Sequence, residues 1–161
     1  MSSATILVRA YQDTDAPNLR DVFLSAVHGT ASHYYSPPQI EAWASRLHDA
    51  AAWQQKMAAL NPFVAELNGN IAGYADLQAD GLIDHFFVAA ETSRRGVGRT
   101  LMQALVETAR LRQIRDLQAY VSLAAEAFFE TNGFQVVRRQ TVVVRGVTLD
   151  NALMARSLTI P

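Results

Sequence analysis

A short stretch near the middle of the chain restricts its fold most. "FFVAAETSRRGVGRTLMQAL" (Phe86–Leu105) passes from an apolar, strand-like run through a loop with two arginines to a helical pattern. Gly96 and Gly98 bracket one valine at the handover. A helix N-terminus exposes unpaired backbone N–H groups and a partial positive charge, so it attracts anions. Two glycines let a ligand approach that backbone, and Arg94, Arg95 and Arg99 add donors suited to phosphate. The stretch reads as a pyrophosphate cradle. A P-loop would need Gly-Lys-Ser/Thr, and a dinucleotide fingerprint a third glycine where Leu101 stands.

The rest of the chain surrounds this unit with a mixed pattern. Thr5–Tyr11 is β-branched and apolar, a first strand. Leu19, Val22, Phe23, Ala26 and Val27 share one helix face, which Gly29 is expected to end. Thr30–Tyr35 reads as loop. Ser36, Pro37 and Gln39 form a capping-box start for a second helix, and His48–Leu60 reads as a third. The period then changes. Pro62–Leu67, the turn at Asn68–Asn70 and Ile71–Leu77 predict a hairpin, and Leu82–Val88 a third strand of that meander. After the central helix come a strand at Leu117–Val121, a short helix ending at Gly133 and two last strands. The order βααα–βββ–α–β–α–ββ predicts one α+β domain over residues 1–161.

The chain has 161 residues, half of them apolar, which is enough for one sizeable core. The net charge of −1 gives no general attraction to nucleic acid or to an anionic membrane. With no cysteine, disulfides, thiolate metal sites and a cysteine nucleophile are excluded. No apolar run approaches the roughly 20 residues of a membrane span, and the start lacks a signal-peptide pattern. A cytoplasmic location is expected. No paired histidine or carboxylate spacing suggests a metal.

"SRRGVGRTL" and "SLAAEAFFETNGF" (Ser122–Phe134) together resemble the GCN5-related N-acetyltransferase (GNAT) superfamily over nearly the whole chain. The first is similar to that family's phosphate loop, with Ser93 where arginine or glutamine is usual; the second is similar to its Phe-Tyr-x-x-x-Gly-Phe segment. "VHGTASHYYSPPQIEAWA" further resembles a branch of small, poorly characterised bacterial members. The resemblance implies a mixed, mostly antiparallel central sheet of about seven strands flanked by four to five helices. It implies acetyl-CoA as donor and a primary amine of a small molecule or peptide as acceptor, attacked directly. Coenzyme-binding positions would be Phe87, Val88, Arg94, Arg95, Gly96, Val97, Gly98, Arg99, Thr100, Ser122 and Phe129. A backbone N–H near Val88 would polarise the thioester carbonyl.

On the acceptor side, Asp84 is the candidate base: it falls on one strand face with Leu82 and Phe86, among apolar neighbours that would desolvate it. His85 is read as a satisfied sheet histidine. The family's acid tyrosine is replaced by Phe129, so another hydroxyl is needed. Tyr34, Tyr35, Tyr74 and Tyr120 are the available hydroxyls, of which Tyr35 and Tyr120 are the catalytic candidates, and Ser122 is expected to cap the helix after it. His33, Tyr34, Tyr35 and Trp43 are the candidate acceptor contacts. A competing reading is a non-catalytic acyl-CoA-binding module, which Phe129 favours. The chain is expected as a monomer or a homodimer through the Thr141–Val144 edge.

Overall fold

The computed structural model describes residues 4–160. The elements in chain order are β1 (Ile6–Ala10), α1 (Ala16–Ser25), α2 (Pro37–Trp43), α3 (Ala50–Leu60), β2 (Phe63–Leu67), β3 (Asn70–Ala75), β4 (Leu82–Ile83) and β5 (Phe86–Val88). Then follow α4 (Val97–Leu111), β6 (Asp116–Ser122), α5 (Glu126–Thr131), β7 (Gln135–Val144) and β8 (Val147–Ser157). The expected mixed, mostly antiparallel architecture of about seven strands and four to five helices is found, with eight strands among the described residues divided between two four-stranded sheets. Their orders are β1-β2-β3-β5 and β4-β6-β8-β7. The first is antiparallel throughout, while β4 runs parallel to β6 in the second.

The division falls inside Leu82–Val88, which the sequence pattern presents as one strand. β4 belongs to the second sheet and β5 to the first, with Asp84 and His85 between them. The cause is a side chain on the neighbouring strand's exit. Asp76 Oδ1 accepts hydrogen bonds from the backbone N–H groups of Asp84 (2.9 Å) and His85 (2.6 Å). A carboxylate receiving two main-chain donors holds the bend that separates the sheets. Asp76 is fully buried, and burial raises its pKa from the ordinary value against the opposing pull of those hydrogen bonds.

Each face of the first sheet covers its own core, because side chains alternate along its strands; an irregularity in the β2–β3 register at Ala65–Glu66 shifts that alternation on β3, so that Ala72 and Tyr74 fall on opposite faces. Ala65 and Ala72 face α4, whose Met102, Leu105, Val106 and Ala109 are buried as the helical pattern predicts, together with Leu101. Val64 and Tyr74 face the other way, onto Leu19, Val22 and Phe23 of α1 and Trp53 and Met57 of α3. The β2–β3 hairpin turns through Asn68 and Gly69, both at positive φ, as the Asn-Gly pair leads one to expect.

Two local expectations are corrected. Thr30–Tyr35 is not plain loop: the helical path continues beyond α1 through a π turn (Ala26–Thr30) and a 3-10 turn (Ala31–His33). Gly29 therefore does not end a helix. A Cβ there would lie 2.7 Å from the Cβ of Ala90, so glycine permits close packing against the segment after β5. Ser36 and Gln39 form the expected capping box at the start of α2.

Candidate active site

The handover from β5 to α4 builds one wall of a cavity of about 840 Å³. Gly96 is the N-cap of α4, at φ +92° and with no side-chain cap. The first intrahelical bond is that of Thr100 N–H to Gly96 O (3.0 Å), so the amides of Val97, Gly98 and Arg99 carry no such bond. Gly98 lies under Phe128, whose ring would be 3.0 Å from an added Cβ. Ser93, Arg94, Arg99 and Gln103 line the polar end, and Phe86, Val88, Phe128 and Phe129 the apolar end.

Of the expected coenzyme positions, Phe87, Val88, Arg94, Gly96, Gly98, Arg99, Ser122 and Phe129 line this cavity. Arg95, Val97 and Thr100 do not. Arg95 is exposed elsewhere, the Val97 side chain is in the core, and the Thr100 hydroxyl bonds back to Gly96 O (2.8 Å). The sequence reading missed Gln103 and Phe128. Gln103 lies one helical turn after Arg99, a spacing that places both on one face of α4.

β5 pairs only with β3. In this ladder Asp76 N–H donates to His85 O and Ala89 N–H to Ala72 O. The alternation makes Tyr74 and Phe87 a hydrogen-bonded pair, so the Phe86 and Val88 amides point to the unpaired edge. That edge opens on the gap between the two sheets, and leaves a free backbone donor at Val88.

A second cavity, of about 720 Å³, lies beyond the gap, and shares Trp43, Phe87 and Ser122 with the first. Asp84, His85, Tyr35 and Tyr120 also line it. The expected desolvation of Asp84 is not found: the break between β4 and β5 turns its side chain out, and it is exposed. His85 takes the buried position. Its Nδ1 is 3.0 Å from the Tyr74 hydroxyl, and its ring packs among Phe23, Trp53 and Phe87. Among the described residues its Nε2 has no hydrogen-bond partner. Burial, with a contribution from Lys56, pushes the His85 pKa down to about 3, so the ring is neutral. Tyr74 is fully buried, and desolvation raises its hydroxyl well above the usual value.

The two tyrosine candidates differ in availability. Tyr120, on β6, is 52% exposed. The Tyr35 hydroxyl donates to Asp150 O (2.6 Å) and accepts from Leu123 N–H (2.9 Å), so both its roles are occupied by backbone. Burial also raises its pKa. His33 and Tyr34 are exposed and line neither cavity, because the turn at Ala31–His33 carries them outward. Ser122 does not cap α5. The N-cap there is Ala125, and Ser122 stands at the end of β6 where the cavities meet.

A family model described as "Acetyltransferase (GNAT) domain" matches residues 31–151, three quarters of the chain. The chain belongs to the GNAT acetyltransferase family. It is 37% identical over 149 residues to the uncharacterized N-acetyltransferase YafP of Escherichia coli (strain K12), covering 92% of this chain and 94% of that one. Among solved structures, a GCN5-related N-acetyltransferase from Rhodopseudomonas palustris superposes with a TM-score of 0.91 at 32% identity, covering 98% and 99% of the two chains. The PaiA N-acetyltransferase of Thermoplasma acidophilum, solved in complex with coenzyme A, shares the fold, with a TM-score of 0.75 at 16% identity and coverage of 96% and 99%. Membership in the GNAT family makes this chain an acetyl-transferring enzyme. No group of metal-ligating side chains is found among the described residues, and no described helix is long and apolar enough to cross a membrane.

Proposed function

We propose that this enzyme moves an acetyl group from acetyl-CoA to a primary amine of a small molecule or peptide, by direct attack within one ternary complex. One observation carries the reading: two cavities, one with a helix N-terminus and arginines, meet at Phe87, Trp43 and Ser122 beside the free backbone edge of β5. Acetyl-CoA supplies an acyl thioester. The amides at the start of α4, with Arg94 and Arg99, hold its pyrophosphate. The Val88 amide donates to the thioester oxygen as negative charge develops there.

Asp84 takes the proton from the attacking amine, and Tyr120 returns one to the leaving thiolate in place of the tyrosine that Phe129 replaces. A thiol pKa near 8.5 makes the second step undemanding. The neutral His85 ring orients the amine through its free Nε2. Acetyl-CoA is the only co-substrate in this reading, the domain acts as a unit over 1–161, and the chain works in the cytoplasm.

The test is release of free thiol from acetyl-CoA, with and without an amine. Thiol release that requires the amine supports transfer; release that ignores it leaves only a coenzyme-binding module. Asp84→Asn is expected to lower kcat/KM by about 100-fold, the usual share of a general base, while coenzyme binding is kept. An unchanged pH–rate profile in that variant would remove Asp84 from the role.

A further inference from the structure

Three buried side-chain polar atoms among the described residues have no hydrogen-bond partner, and two of them belong to residues lining the acceptor cavity. One is a donor, Arg20 Nε. The other is an acceptor, Asn151 Oδ1. Buried polar groups are nearly always satisfied, so two orphans of opposite kind in one cavity wall call for an explanation.

The charges of that wall are also uneven. Arg20, Lys56 and Arg145 all line it, and none of them forms an ion pair among the described residues. Arg20 donates to Ser45 O and stacks over Phe23 (5.8 Å) and Trp53 (5.4 Å), so its position is fixed without a carboxylate. Arg145 donates to Ala42 O (2.6 Å). Burial, and Arg145 as a like charge nearby, lower the Arg20 pKa. Of the three acids in the wall, Asp49 caps α3 through Ala52 N–H and Asp150 accepts from the Thr141 hydroxyl. Asp84 alone has no side-chain hydrogen bond. Three cations without an ion pair among the described residues thus share the wall with one carboxylate free of side-chain hydrogen bonds.

We infer that the acceptor is an amino acid or a close analogue, an amine that carries its own carboxylate. The inference rests on the acetyltransferase reading and names its substrate class. The Arg20 guanidinium receives the carboxylate, with Lys56 and Arg145 adding positive field. Asp84, exposed and without a side-chain hydrogen bond, receives the ammonium end. Phe23, Trp53 and Phe87 form a continuous aromatic floor between them, with ring centroids 5.4 Å and 5.0 Å from the Phe23 ring. That floor accepts an apolar side chain.

The experiment compares matched acceptors that differ only in the anion: phenylalanine, phenylalaninamide and 2-phenylethylamine, then leucine with its amide and 3-methylbutylamine. Turnover is read as thiol release, and binding as thermal protection of the coenzyme-loaded enzyme. The carboxylated member of each set is expected to have at least about tenfold higher kcat/KM, the worth of one charge-assisted contact. Arg20→Gln should erase the preference. Lys56→Gln, at an exposed position, should reduce it mainly through KM even if the Arg20 variant fails to fold. Equal or better turnover of the amides or decarboxylated amines overturns the inference and leaves acetyl transfer standing. If none of these six acceptors is turned over, binding decides the inference. Carboxylate-dependent protection that Arg20→Gln or Lys56→Gln weakens upholds the anion site, and its absence overturns it.

Discussion

At the residue scale, His85 carries a stability cost that acid should reveal. Its folded pKa is about 3, against an ordinary value of 6.5. Between those values the unfolded chain binds a proton that the folded protein refuses, so stability falls as the pH drops from 6.5 toward 3. This one group contributes a slope approaching about 1.4 kcal/mol per pH unit. Asp76 acts with the opposite sign just above its ordinary 3.8, because its folded pKa is raised. The effect of His85 is therefore cleanest at the upper end of the window. Urea unfolding of the parent and His85→Gln from pH 7 to 5 checks it. The variant should show a flatter dependence, and parallel curves would mean that His85 is charged in the folded state.

At the scale of elements, the geometry of the loop proposed to hold phosphate was legible because its signal is local. Strand, arginines, Gly96, Gly98 and an amphipathic helix follow one another, and α4 starts where they say. The acceptor side was much less legible. Asp84 and His85 exchange exposure because Asp76, eight and nine residues earlier, captures their amides, and period-two reasoning cannot see a carboxylate on another strand. Arg20 and Asn151 line one cavity from α1 and β8, with no shared motif. Tyr35 illustrates the same limit, since its hydroxyl links β8 to the turn between β6 and α5. Tyr35→Phe would leave the Leu123 amide and the Asp150 carbonyl without a partner, at a cost of about 1–3 kcal/mol. Calorimetry should show a melting temperature lower by several degrees, on the order of 2–4 °C per kcal/mol at this size, with kcat nearly kept. A large loss of kcat at unchanged melting temperature would instead make Tyr35 the acid.

At the scale of the whole molecule, the two sheets form separate ladders, joined by the short bend between β4 and β5 and by the two cores to which both contribute. A ligand wedged into the gap should tie them together. Coenzyme A at about 100 times its dissociation constant should add about 2.7 kcal/mol, a rise of roughly 5–10 °C in melting temperature. In Gly98→Trp, where even a Cβ meets Phe128, that rise should vanish. Persistence of the rise would place the coenzyme elsewhere.

The two cavities have separate linings apart from Trp43, Phe87 and Ser122. On the proposed assignment of the cavities, traffic through the enzyme has two doors. Spent coenzyme and acetylated product each leave by the entrance that their parent used, and neither has to wait for the other. Each product should then compete only with its own parent: coenzyme A against acetyl-CoA, and the N-acetyl compound against the free amine. Initial-rate inhibition patterns will show this. An acetylated product that competed with acetyl-CoA would mean a single shared doorway.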